Sequence, residues 1–148
     1  MNGSGHFKQM QVLHTAMLVG VVMVAVILGG IISTEGTVTD YNGFVTGLLG
    51  IAAILMAAVL TVSQLIWNKR QGEIPNLKTA DEKWMHYRSA SIVRWAMIEG
   101  SIFFAICMVF VEKNLAGYLL VAVGLAFLYL ARPNRDYAAE KYGFRDLY

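Results

Sequence analysis

The apolar residues of this chain are gathered into four blocks, about Val12–Ser33, Gly43–Trp67, Ser89–Val111 and Leu115–Ala131. Blocks of roughly 17 to 25 residues, rising 1.5 Å per residue, match the ~30 Å of a bilayer's hydrocarbon layer. A soluble helical bundle would place polar residues at a 3.6-residue period, and Gly43–Trp67 has no such face. The pattern predicts an all-α, polytopic membrane four-helix bundle forming one domain over residues 1–148. The lipid bilayer is its first partner.

Between the blocks the punctuation is clear. Met1–Gly5 is expected to be flexible, and the first span ends in Gly29-Gly30. Thr34–Asn42 is a short polar loop. The segment 68–88 forms the middle loop, with Asn68–Lys78 turned or extended around Gly72 and Pro75. Thr79 and Glu82 form a capping-box pattern, in which the hydroxyl and the carboxylate satisfy orphan amides at a helix start. No breaker follows before Gly100, so a helix from Ala80 to Val111 would extend about 48 Å. Glu112-Lys113-Asn114 is a tight turn. Arg132-Pro133 ends the last span, and the tail 132–148 has room for a helical turn or two before Gly143.

Composition agrees with the block pattern, with 57% hydrophobic and 15% charged residues. The net charge of +2 is less informative than its distribution. Eleven of the 12 basic residues fall on one side of the four predicted spans, and Lys113 alone falls on the other. The positive-inside rule then puts both termini and the middle loop in the cytoplasm. This excess is a topology signal rather than a nucleic-acid footprint, because no basic stripe with interleaved aromatics accompanies it. The first apolar run is too long for a signal-peptide core and lacks a cleavage pattern, which predicts a retained span. The single Cys107 allows no internal disulfide and is expected to act as a small apolar residue.

Shifting the chain by 80 positions aligns His6–Leu28 with His86–Met108, with five identities. His14-Thr15-Ala16-Met17-Leu18-Val19-Gly20 falls on Arg94-Trp95-Ala96-Met97-Ile98-Glu99-Gly100. The match predicts two similar parallel hairpins related by an axis along the membrane normal. Ala16 with Gly20, and Ala96 with Gly100, form equivalent small-x-x-x-small pairs suited to close helix packing. The copies differ where Val19 stands opposite Glu99.

Glu99 is the candidate ion or proton site. An ionised carboxylate deep in hydrocarbon costs at least ~2.5–3.5 kcal/mol, so it faces protein or water, finds a partner, or stays protonated. Depth matching nominates Thr61, Gln64, His14 and Tyr129. Arg94 is five residues away, about 140° around the helix, poorly set for direct pairing and better suited to reach headgroups or another helix. His6 and His86 are expected to be solvated, and His14, unless it bonds Glu99, to be a helix-end histidine near the headgroups. No metal-ligand spacing, phosphate loop, nucleophile elbow or paired carboxylates appear, so neither an enzyme nor a cofactor is indicated.

HTAMLVG, RWAMIEG and the closing YLARPNRDYAAEKYG resemble a group of small bacterial four-span membrane proteins, a likeness that implies a bacterial inner membrane and no particular activity. The chain is also similar in size and hairpin plan to the duplicated proteolipid subunits of rotary ATPases, which keep an ion-binding acid in one copy. There the acid lies on the second helix of a hairpin, whereas Glu99 lies on the first. Only the arrangement is similar to small multidrug resistance transporters, whose acid is in the first span. The expectation is a non-catalytic membrane subunit or scaffold, forming a homo-oligomer or docking with other membrane subunits. The alternative is a proton- or cation-handling subunit or small transporter using Glu99.

Overall fold

A computed structural model describes residues 3–35 and 47–143, all of them helices and short connections. The helices are α1 (Gly3–Glu35), α2 (Leu48–Glu73), α3 (Ala80–Glu112), α4 (Tyr118–Leu130) and α5 (Arg135–Tyr142). Single 3-10 turns, Ile74–Asn76 and Leu115–Gly117, lead into Leu77–Thr79 and α4. Three helical stretches are long and apolar enough to cross a membrane: Phe7–Thr34, Leu48–Asn76 and Ala80–Glu112. The fourth apolar stretch, Leu115–Leu130, is shorter. At 1.5 Å per residue it reaches about 24 Å.

The helix ends follow from local chemistry. Thr79 accepts from the Glu82 amide while Glu82 accepts from the Thr79 amide, so the capping box forms as the spacing predicts. From that cap α3 runs without interruption to Glu112, 33 residues in all. It stops where Lys113 turns left-handed, and the Asn114 side chain accepts from the Ala116 amide to start the next turn. Gly47 supplies no side-chain cap to α2. The Glu112 carboxylate accepts from the Leu48 amide instead, closing the start of α2 from the end of α3.

Two predicted loops are helix. Gly3–Gly5 belongs to α1, and α2 continues past Trp67 through Gly72 to Glu73. Residues 68–71 carry ordinary helix formers, and a glycine near a helix end costs only about 1 kcal/mol. The effective stop is Pro75, which has no N–H to continue the α-helical ladder, so the chain tightens into the 3-10 turn Ile74–Asn76 before Leu77 becomes extended. Ile74, fully buried, pins the turn. The start of the second block at Gly43 and most of the Thr34–Asn42 loop lie outside the described residues.

Helix α3 is the centre. Its face of Trp95, Ile98, Ile102, Ala105, Ile106 and Val109 is buried. The most extensive contact is with antiparallel α2, followed by α4 and α1. Helix α1 also touches α4, but no comparable contact joins α1 to α2 among the described residues. Helices α2 and α3, and α3 and α4, therefore pack as antiparallel hairpins, whereas the expected α1–α2 hairpin has no such packing among the described residues. The ring pairs Phe7–Trp84 and His14–Trp95 set α1 parallel to α3. Their offsets bracket the 80-residue shift of the internal repeat.

Close approach to α4 depends on glycine. A Cβ at Gly124 would lie 2.5 Å from Ile102 Cγ1, and one at Gly117 would overlap Val109 and Leu49. The two positions are seven residues apart, two turns along one helix face.

Candidate functional site

Glu99 sits near the middle of α3, half-buried, four residues beyond the fully buried Trp95. That spacing sets it on the α1 side of the helix. Among the described residues no side chain or amide bonds to it. By the α1–α3 register, the stretch of α1 at the same height is Met17-Leu18-Val19, which offers no polar group.

The five residues nominated as partners are engaged elsewhere. Arg94 reaches α2, where its Nη2 donates to Gln64 Oε1 at 2.8 Å and its guanidinium lies 5.3 Å over the Trp67 ring. Gln64 also donates to Asn68. Thr61 returns its hydroxyl to the Ala57 carbonyl. Tyr129 accepts from Arg132 at 3.3 Å. Arg94, Gln64 and Thr61 do meet, at one end of a groove described below, but away from Glu99.

His14 is buried rather than interfacial. Its Nε2–H donates to the Leu128 carbonyl at 2.8 Å, and its ring stands edge-on to Trp95 at 4.9 Å. Trp95 Nε1–H donates to the Ala131 carbonyl at 2.8 Å. A helix leaves its last four carbonyls without intrahelical partners. Two of the groups at the end of α4 are thus satisfied from α1 and α3, and the helix can stop among apolar side chains. His86 is not free in solvent either, lying 3.3 Å from Glu73. The His6 side chain lies outside the described residues.

The small-residue pairs face outward. Ala16, Ala96 and Gly100 are exposed, and added Cβ atoms at Gly20 or Gly100 would meet nothing within 4 Å. Among the described residues they hold no helix in close approach; that role falls to Gly117 and Gly124. The sequence signal for Gly117 and Gly124 is their seven-residue spacing, which sets both on one helix face. Cys107 is exposed on α3. No group of three or more His, Cys, Asp or Glu side chains gathers among the described residues.

At the end where the basic residues collect, α5 folds back as a cover. Asn134 caps it by accepting from the Tyr137 amide, and Gly143 ends it in the left-handed conformation, within the limits set by the sequence. Ala138 and Tyr142 are buried against a cluster that includes Tyr87 and Phe7. Gln71 of α2 accepts from Lys141 at 2.9 Å and from Tyr137 at 3.3 Å.

Burial holds the Tyr142 hydroxyl well above the ordinary tyrosine range, with Tyr137 and Tyr87 pushing the same way. Undocked tyrosine loses its proton near pH 10, sooner than the docked one. The contribution of Tyr142 to docking is therefore complete below about pH 10 and falls as pH rises further. Proteolytic nicking of α5 is expected to increase above that pH, and Tyr142→Phe to flatten the increase. An unchanged pH profile in the variant would remove Tyr142 as its cause.

The class defined by this geometry is an all-α protein with, among the described residues, three helices long and apolar enough to cross a membrane. No known protein family, curated protein or solved structure matches the chain.

Proposed function

We propose that the chain is a small integral membrane subunit, non-catalytic, that associates with a second copy or with other membrane subunits through the face carrying Glu99. The observation that carries this is the half-buried Glu99, which has no bonding partner among the described residues and lies one turn from the exposed Ala96 and beside Gly100. A carboxylate at that height in oil is costly when unpaired, and small residues beside it let another backbone approach closely. Ala16 on α1 offers a second small-residue contact.

We further infer four crossings, with residues 68–88 and both termini on the cytoplasmic side. The distribution of basic residues supports this orientation. The parallel packing of α1 on α3 near the repeat offset supports the duplication, although the first copy does not pack as a hairpin.

Proton or cation handling by Glu99 is the second reading, favoured by the same lack of a partner. It gains nothing from Thr61, Gln64 or Tyr129, whose oxygens do not gather about the carboxylate. A hard cation takes about six or more oxygen ligands.

The two readings separate in native-lipid particles. For a subunit, the chain is expected to purify as an oligomer or hetero-complex, Gly100→Leu to break it, and Glu99→Gln to leave it nearly intact. A monodisperse monomer would sink that reading. Carbodiimide labelling of Glu99 that is fast at low pH and blocked by a cation would favour the carrier.

A further inference from the structure

Helices α2, α3 and α4 leave between them a groove of about 680 Å³ that the proposed association face does not use. Most of its lining is apolar, including Met56, Leu60, Ile98, Leu120, Val123 and Phe127. Along α2 it runs from Ala53 to Leu65, about 18 Å at 1.5 Å per residue. That is close to the depth of one leaflet, half of a ~30 Å hydrocarbon layer. Polar lining is confined to one end, with Thr61, Ser63, Gln64 and Arg94. Thr61 and Ser63 return their hydroxyls to their own helix, leaving Arg94 as the charge at the mouth.

Arg94 is incompletely satisfied. One amine bonds Gln64, the guanidinium lies over the Trp67 ring, and the Nε–H is buried without a hydrogen-bond acceptor among the described residues. Arg94 also lines a smaller, polar pocket of about 150 Å³ at the basic end, where Arg132 joins it. No acidic residue lines either space. Arg94 thus stands at the head of an apolar channel and shares the polar pocket beside it with Arg132, and no carboxylate lines either space to balance the charge. A phosphate diester is the group whose oxygens match the Arg fork.

We propose that this groove seats an anionic phospholipid, its phosphate on Arg94 with Arg132 alongside and one acyl chain lying between α2 and α4. The seat is a property of α2–α4 and does not depend on the role of Glu99. Its mouth faces the end rich in basic residues, where a cytoplasmic leaflet would supply anionic headgroups.

The test uses the full chain reconstituted with phosphatidylglycerol or phosphatidylcholine of identical acyl chains, extracted in mild detergent, with retained lipid counted by native mass spectrometry. The native chain is expected to retain phosphatidylglycerol preferentially. Arg94→Gln should lower that retention about tenfold or more, the range for a charge-assisted bond. Arg94→Lys, which keeps the charge and loses the fork, should fall between. Ala57→Phe fills the groove from its exposed side and should lower retention with both arginines intact, so it reads the tail seat if Arg94→Gln loses helix content. Equal retention of the two lipids by the native chain would overturn the proposal. So would unchanged retention in Ala57→Phe, or release of the lipid by inorganic phosphate alone, which would mark a site for the headgroup anion only.

Discussion

Trp95→Ala is expected to lower the stability of the chain by about 3–5 kcal/mol, the range for removing a buried tryptophan. The side chain is 1% exposed and packs where three helices meet. Truncation also takes away the donor for the Ala131 carbonyl, and an orphaned buried acceptor costs about 1–3 kcal/mol. Trp95→Phe isolates that smaller loss by keeping a ring against His14. Unfolding in mixed micelles should rank the native chain above Trp95→Phe, and Trp95→Phe above Trp95→Ala. His14→Phe removes the companion bond to Leu128. Because both residues hold the same helix end, the double variant should depart from additivity. A Trp95→Phe chain as stable as the native one would show that the α4 terminus does not need its donor.

Gly124→Leu should be nearly as damaging, for the opposite reason. Its Cβ alone would meet Ile102 Cγ1 at 2.5 Å, Ile102 Cδ1 at 3.2 Å and Met56 Cε at 3.3 Å. Overpacking of this kind costs about 1–3 kcal/mol for small additions, and three more carbons leave α4 no room beside α2 and α3. The matched control is Gly30→Ala, where an added Cβ meets nothing within 4 Å. It should be neutral or slightly stabilising, since alanine favours helix over glycine by about 1 kcal/mol. Thermal unfolding of the two variants against the native chain decides the point. Equal stability of Gly124→Leu and Gly30→Ala would contradict the packing of α4.

These expectations mark where the sequence was legible. The Thr79–Glu82 box, the unbroken α3, the turn at Lys113 and the short α5 before Gly143 are local chemistry, written in neighbouring residues. The all-helical class follows from block length. Partnerships between distant helices were not legible in the same way. His14 looked like an interfacial histidine or a companion for Glu99 because depth along a helix is readable while rotation against a neighbour is not. Its actual partner is a backbone carbonyl 114 residues away, and no side-chain pattern announces a carbonyl. Ala16, Gly20, Ala96 and Gly100 are the complementary case. Their spacing permits close packing, yet which partner uses it depends on contacts outside the stretch.

The contrast between the apolar part of α3, from Ser89 to Val111, and the shorter apolar stretch Leu115–Leu130 has a mechanical consequence. If the helices lie in a bilayer, one flank of the molecule is a step, where oil must give way to water well before it does on the α3 side. Lipids along that flank would have to shorten or lean, so thin membranes should suit this protein better than thick ones. The indole and imidazole at the foot of the step would then do more than fasten a helix, because they keep the lowered waterline from fraying it.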